Sequence, residues 1–199
     1  MKIDTADFII SNTDYTKCPA PNFPEFVFIG RSNVGKSSLI NMLTNHSKLA
    51  KTSSRPGKTQ LINHFLINSS WYLVDLPGYG WAKVSKAEKA SWEVMIREYF
   101  LHRGNLTMAF VLIDSRLEPQ KIDIEFVNWL GENGIPLTLL FTKADKQTKN
   151  KTQSTVSKFN KVLKNSWEVL PSQFITSSVN QTGKEEVLNY IGEIIASIE

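Results

Sequence analysis

Gly30-Arg31-Ser32-Asn33-Val34-Gly35-Lys36-Ser37 fits the pattern G-x-x-x-x-G-K-[ST], and its neighbours decide what the match means. Before it runs Phe26-Val27-Phe28-Ile29, a short apolar run that reads as a buried strand. After it comes Leu39-Ile40-Asn41-Met42-Leu43, the start of a helix. A glycine-rich turn between strand and helix lets backbone N–H groups wrap a polyphosphate, with the positive end of the helix behind them. In that arrangement Lys36 reaches the β- and γ-phosphates and the Ser37 hydroxyl ligates Mg²⁺. Chance alone produces the pattern in on the order of 1% of chains this long. The strand–turn–helix setting lowers that further. The stretch reads as a nucleoside-triphosphate site.

Working outward, residues 1–24 read as a weakly structured lead, with Phe8-Ile9-Ile10 as a short edge element and Pro19 to Pro24 as a stiff connector. His46 to Gln60 is a long polar, basic loop, which in a compact domain is usually functional or disordered. Leu61–Ile67 and Trp71–Val74, separated by Asn68-Ser69-Ser70, read as a hairpin. Ser85 then caps a helix whose core face is Trp92, Met95, Ile96, Tyr99 and Phe100. Strands at Met108–Ile113, Pro136–Phe141 and around Gln173–Thr176 alternate with amphipathic helices to the end of the chain. The expected fold is α/β: an about six-stranded, mostly parallel sheet with one antiparallel hairpin and helices on both faces. Ligands of such sheets bind at the carboxyl ends of the strands. Gly30, Asp75, Asp145 and Ser177 all fall at such ends.

Two of those ends carry further chemistry. In Asp75-Leu76-Pro77-Gly78 the carboxylate can hold Mg²⁺ through a water, and the glycine N–H can bond a γ-phosphate. A strand ending in Asp-x-Pro-Gly is also a common turn; its place after a phosphate loop favours the chemical reading. In Thr142-Lys143-Ala144-Asp145, Asp145 can accept two hydrogen bonds from guanine's ring N–H and amine, donors that adenine does not pair in that way. The stem of Lys143 would cover the base, and Thr176-Ser177-Ser178 would supply backbone groups to it.

The 199 residues suit one domain, with 41% apolar and 21% charged residues, as in ordinary soluble proteins. Cys18 is the only cysteine, which suits a reducing compartment. No signal peptide, spanning segment or lipidation motif is evident, so a cytoplasmic protein without membrane insertion is expected. The net charge of +4 is unevenly spread. Phe26 to Val74 holds six basic residues and no acid, and Lys143 to Lys164 holds seven lysines and one acid. Either stretch can serve a polyanion; solvated lysines on a helix face are the plainer alternative for the second.

Together these residues make the chain resemble a small GTPase domain of the translation-factor-related class, and within it the EngB (YihA/YsxC) family of ribosome-biogenesis GTP-binding proteins. The resemblance rests on Gly30 to Ser37, Pro56-Gly57-Lys58-Thr59-Gln60-Leu61-Ile62-Asn63, Asp75-Leu76-Pro77-Gly78-Tyr79-Gly80 and Thr142 to Asp145, and spans about Phe26 to Ile198. It implies residues 1–24 as an extension and connector, 25–199 as the GTPase domain, and a monomer. It also implies that Gly57, Lys58, Thr59, Gln60 and Leu61 join the nucleotide site, with Thr59 completing the Mg²⁺ shell beside Ser37. Lys36 and Thr59 would stabilise charge during hydrolysis, and no general base is assigned. The implied function is a GTP/GDP switch in assembly of the large (50S) ribosomal subunit, acting through the subunit precursor or rRNA and needed for normal cell division and septation.

Three positions refine these expectations. Thr142 stands where most GTPases carry Asn, although this family commonly has Thr, and predicts modest base affinity. Tyr79 stands where many GTPases place the glutamine that orients water, and predicts slow intrinsic hydrolysis that a partner accelerates. Asn33 matches relatives whose hydrolysis K⁺ stimulates. Two alternatives compete: a nucleotide kinase, for which no acceptor site or lid is evident, and a signalling GTPase acting through protein partners at a membrane or division site.

Overall fold

In the computed structural model the described residues are 1–50, 61–80 and 86–198. Gly57, Lys58, Thr59, Gln60 and Ser85, the last expected to cap a helix, therefore lie outside the described residues. Seven strands and five helices follow in the order β1 (Ala6–Asn12), β2 (Glu25–Gly30), α1 (Lys36–Leu43), β3 (Ile62–Ile67), β4 (Trp71–Asp75), α2 (Lys86–His102), β5 (Leu106–Asp114), α3 (Lys121–Glu132), β6 (Leu137–Thr142), α4 (Lys149–Leu163), β7 (Ser172–Ile175) and α5 (Lys184–Ile198). They form one sheet in the order β1-β3-β4-β2-β5-β6-β7. β3 runs antiparallel to both its neighbours, and every other pairing is parallel.

β2 sits in the middle and all six of its residues are buried, as an apolar run covered on both faces requires. Alternation divides it between two cores. Val27 and Ile29 pack with Ile96 and Tyr99 of α2, Val127 and Leu130 of α3, and Phe159 and Leu163 of α4. Phe26 and Phe28 pack on the other face with Leu39, Ile40 and Leu43 of α1 and Val187, Leu188 and Ile191 of α5. There Phe28 stacks on Phe110 of β5 at 4.9 Å between ring centroids, and Phe26 meets the edge of Trp71 at 5.4 Å.

Among the described residues the strands number seven rather than about six, and the lead is ordered. β1 pairs with β3 from Ala6↔Ile67 to Asn12↔Ile62, with a bulge between Phe8 and Ile10. The β3–β4 turn secures its start. Asn68 and Ser69 both have positive φ (49° and 52°), and the Ser70 N–H donates to the Ile67 carbonyl at 3.0 Å, which makes a turn of the hairpin type I′. This conformation aims the Asn68 side chain at the N-terminus. Its Oδ1 accepts from the N–H groups of Asp4 and Thr5 at 2.8 and 3.1 Å, and its Nδ2 donates to the Lys2 carbonyl at 2.8 Å.

At the amino edge of the sheet a buried carboxylate joins four segments. Glu25 of β2 accepts from Arg103 after α2 (Nη2, 2.6 Å), from His64 of β3 (Nε2, 3.1 Å) and from the Tyr99 hydroxyl of α2. Arg103 Nη2 also donates to the Pro19 carbonyl of the connector at 2.5 Å. Burial alone would push the Glu25 carboxyl up; the bonds from His64, Arg103 and Tyr99 instead hold it down at about 2.

Candidate functional site

The opposite, carboxyl edge gathers the chemistry. Register brings Asp75 beside Phe28, two residues before Gly30, and pairs Asp114 with Thr142, so the ends of β4, β2, β5 and β6 lie side by side. The loop from β2 to α1 turns through Asn33 and Gly35, both with positive φ (62° and 104°), the kind of backbone in which peptide N–H groups form an anion-binding concavity. Lys36 is the first residue of that helix, and its ammonium donates to the Asp75 carboxylate. Burial pulls Lys36 down to about 7. An ammonium disfavoured by its surroundings is one that an anionic ligand would stabilise. Gly78 lies against the same loop. A Cβ there would stand 2.7 Å from the Gly30 carbonyl oxygen and 3.3 Å from the Ser32 nitrogen, so only glycine allows this approach.

The base loop is braced to the phosphate loop. The Thr142 hydroxyl donates to the Val34 carbonyl at 2.6 Å. Lys143, itself left-handed (φ 60°), donates from Nζ to the Asn33 carbonyl at 2.5 Å and to Asp114 Oδ2 at 2.9 Å. Asp145 follows in a short 3₁₀ turn, where the Ser177 hydroxyl donates to its Oδ1 at 2.7 Å and Lys146 lies 3.1 Å from its Oδ2. The bond from Ser177 holds the Asp145 carboxyl below its usual range, which keeps it an acceptor. The Ala144 N–H donates to the Thr176 carbonyl at 3.2 Å, joining the two base-loop segments.

Gly30 to Ser37, Asp75 to Gly78, Thr142 to Asp145 and Thr176-Ser177 are thus brought to one edge. Some members contribute main chain alone: the side chains of Leu76 and Val34 are in the core, and Thr176 is fully buried. Ser178 is exposed beside Ser177, and Leu61 stands just ahead of β3. Three participants carry no motif. Asp114 ends β5 and anchors Lys143 and Arg116. Ser177 orients Asp145 through its side chain, whereas the sequence suggests only its backbone. Asp123 of α3 receives Arg31 from the phosphate loop. The signal available for Asp114, as for Ser177, was its place at a strand's carboxyl end, the same signal that marks Asp75.

Among the described residues, Ser37 in the first turn of α1 and the Asp75 carboxylate at the end of β4 stand at this edge, oxygen donors of the kind that Mg²⁺ takes together with phosphates. In nucleotide sites Mg²⁺ is held by phosphate oxygens, waters and one or two protein oxygens rather than by an all-protein cage. Among the described residues no group of three or more His, Cys, Asp and Glu could hold a metal. Among them also, no helix is long and apolar enough to cross a membrane.

Comparison with known proteins agrees with this geometry. The family model described as "50S ribosome-binding GTPase" matches residues 25–143. The probable GTP-binding protein EngB of Phocaeicola vulgatus is 57% identical over 199 residues, all of both chains. The protein of the same description in Bacteroides fragilis is 59% identical over 194 residues, covering 98% of this chain and 96% of its own. The crystal structure of a probable GTP-binding protein engB superposes with a TM-score of 0.73 at 25% identity, over 87% of this chain and 99% of that one. Fold, site and matches define a P-loop GTPase. Identity over essentially the whole length narrows this to one group. The chain belongs to the EngB family of GTP-binding proteins.

Proposed function

We propose that this chain is a Mg²⁺-dependent GTPase switch that acts in assembly of the large ribosomal subunit, binding the particle or its rRNA in the triphosphate state. The observation that carries the proposal is the meeting of the phosphate loop, Asp75–Gly78 and the Asp145 base loop at one sheet edge, in a chain whose family model is described as ribosome-binding. Asp145, held by Ser177, accepts from guanine, and Lys36 leaves Asp75 for the β- and γ-phosphate oxygens. Bound Mg²⁺, on Ser37 and on the Thr59 that the resemblance implies, would neutralise charge between those phosphates. Tyr79 is turned towards α3, where its hydroxyl bonds Asp123, so it orients no attacking water and intrinsic hydrolysis is slow until a partner acts. K⁺ near Asn33 adds positive charge for the transition state; turnover is then faster in K⁺ than in Na⁺, and equal rates remove this part. Lys149, Lys151, Lys161 and Lys164 are exposed on and just after α4, and suit a polyanionic partner. The protein works as a cytoplasmic monomer, and normal division and septation depend on it.

Sedimentation with large ribosomal subunits tests the proposal, comparing a non-hydrolysable GTP analogue, GDP, and Asp145→Asn with the analogue. Co-migration confined to wild type with the analogue is expected. Equal, fully salt-labile binding in all three arms would mean that lysines merely adhere to RNA.

A further inference from the structure

Arg31 occupies the first variable place of the phosphate loop, yet its side chain leaves that loop for α3. Its Nε lies 3.1 and 3.0 Å from the two carboxylate oxygens of Asp123, whose side chain is 1% exposed. The Tyr79 hydroxyl donates to the same carboxylate at 3.0 Å, and the Tyr79 ring lies 4.5 Å from that of Phe126, one turn further along α3. The backbones of the two partners are also joined. The Tyr79 N–H donates to the Gly30 carbonyl at 3.2 Å, and the Ser32 N–H donates to the Tyr79 carbonyl at 3.3 Å, an isolated parallel bridge between Arg31 and Tyr79. One buried carboxylate therefore fastens the residue after Gly78 to the second residue of the phosphate loop. Removing either donor leaves that carboxylate short of a partner in a place where water reaches poorly.

We infer that Asp123 is a positioning residue for the third phosphate: by holding Arg31 and Tyr79 together it keeps the Gly78 backbone at the phosphate loop, and so sets how strongly nucleoside triphosphate is bound relative to diphosphate. The inference rests on the guanine-nucleotide reading of the site. The clasp's side-chain bonds reach the loop only at Arg31, ahead of the turn through Asn33 and Gly35 and of α1, where a diphosphate would be held. Only a γ-phosphate calls on Gly78. Loosening the clasp therefore weakens the triphosphate complex selectively, whereas general damage to the loop weakens both complexes.

The test titrates fluorescently labelled GDP and a labelled non-hydrolysable GTP analogue, each with Mg²⁺, against wild type, Tyr79→Phe and Asp123→Asn. Tyr79→Phe removes one hydroxyl and preserves the ring packing, so it remains informative where Asp123→Asn folds poorly. The expected result is a loss of about fivefold in analogue affinity for Tyr79→Phe, and a larger loss for Asp123→Asn, with GDP affinity held within about twofold. Equal losses for both nucleotides, or no change for either, would overturn the assignment of Asp123. A wild-type chain that binds neither nucleotide would overturn the guanine-nucleotide reading beneath it.

Discussion

Thr142 is a residue whose chemistry runs against its motif. By pattern it replaces an asparagine and forfeits that amide's hydrogen bonds. In the structure its hydroxyl is 2.6 Å from the Val34 carbonyl and 3.3 Å from that of Ile113, so it ties the base loop to the phosphate loop. Thr142→Val keeps the shape and leaves the Val34 carbonyl without this donor, a loss of about 1–2 kcal/mol. The nucleotide-free melting temperature should fall by a few degrees, and calorimetric titration should show GDP affinity lower by about fivefold as the two loops lose their pre-organisation. Lys143 has a similar double use, because its stem remains available to a base while its ammonium is spent on Asn33 and Asp114. Burial pushes Asp114 up, but the bonds from Arg116 and Lys143 hold it at about 2, so it stays an anion throughout the neutral range. The motif residues were legible because each motif implies a ligand atom. Asp114, Asp123 and the Ser177 hydroxyl were not, because they act on other side chains, and the partners that tie them to the site, Lys143, Arg31 and Asp145, lie 29, 92 and 32 positions away in sequence.

At the scale of elements, apolar runs and helical spacing were enough for β2 to β7 and the five described helices, since each packs an apolar face on one of the two cores, β7 only through the half-buried Phe174 and Ile175. β1 was harder to see. As an edge strand it leaves Phe8 57% exposed, so its alternation is weak, and its pairing with β3 depends on a turn more than fifty residues later. Asn68 supplies most of that information. Asn68→Ala removes three hydrogen bonds to residues 2–5 and places alanine at φ 49°. A loss of about 2 kcal/mol is expected from these two causes. Denaturant melts should show it, and amide exchange should accelerate at Asp4 and Thr5 before it does in β2. Uniform acceleration across the sheet would mean that β1 opens only with the whole fold.

Over the whole molecule the two edges of the sheet divide the labour. The amino edge is closed by Glu25, which no motif marks because its partners come from β3, from α2 and from Arg103 just after α2. Its folded carboxyl at about 2 lies below the ordinary 4.5. It therefore contributes stability that is complete above about pH 4.5 and is lost as pH falls through about 2. Glu25→Gln should flatten the acid limb of a melting-temperature profile, and should cost about 3 kcal/mol near neutrality by leaving Arg103 without its counter-ion. An unchanged acid limb would show that other carboxylates govern acid unfolding. The carboxyl edge is left to the ligand, and there the braces from Thr142 to Val34 and from Lys143 to Asn33 have an energetic corollary. Nucleoside and polyphosphate meet one stiff body, so the nucleotide binds as a chelate. Guanosine and pyrophosphate, offered as separate molecules, would each lose translational freedom on binding, while the intact nucleotide incurs that cost once. Its affinity should therefore far exceed the product of theirs. Cutting either brace would erode that advantage while leaving each fragment's own affinity nearly intact.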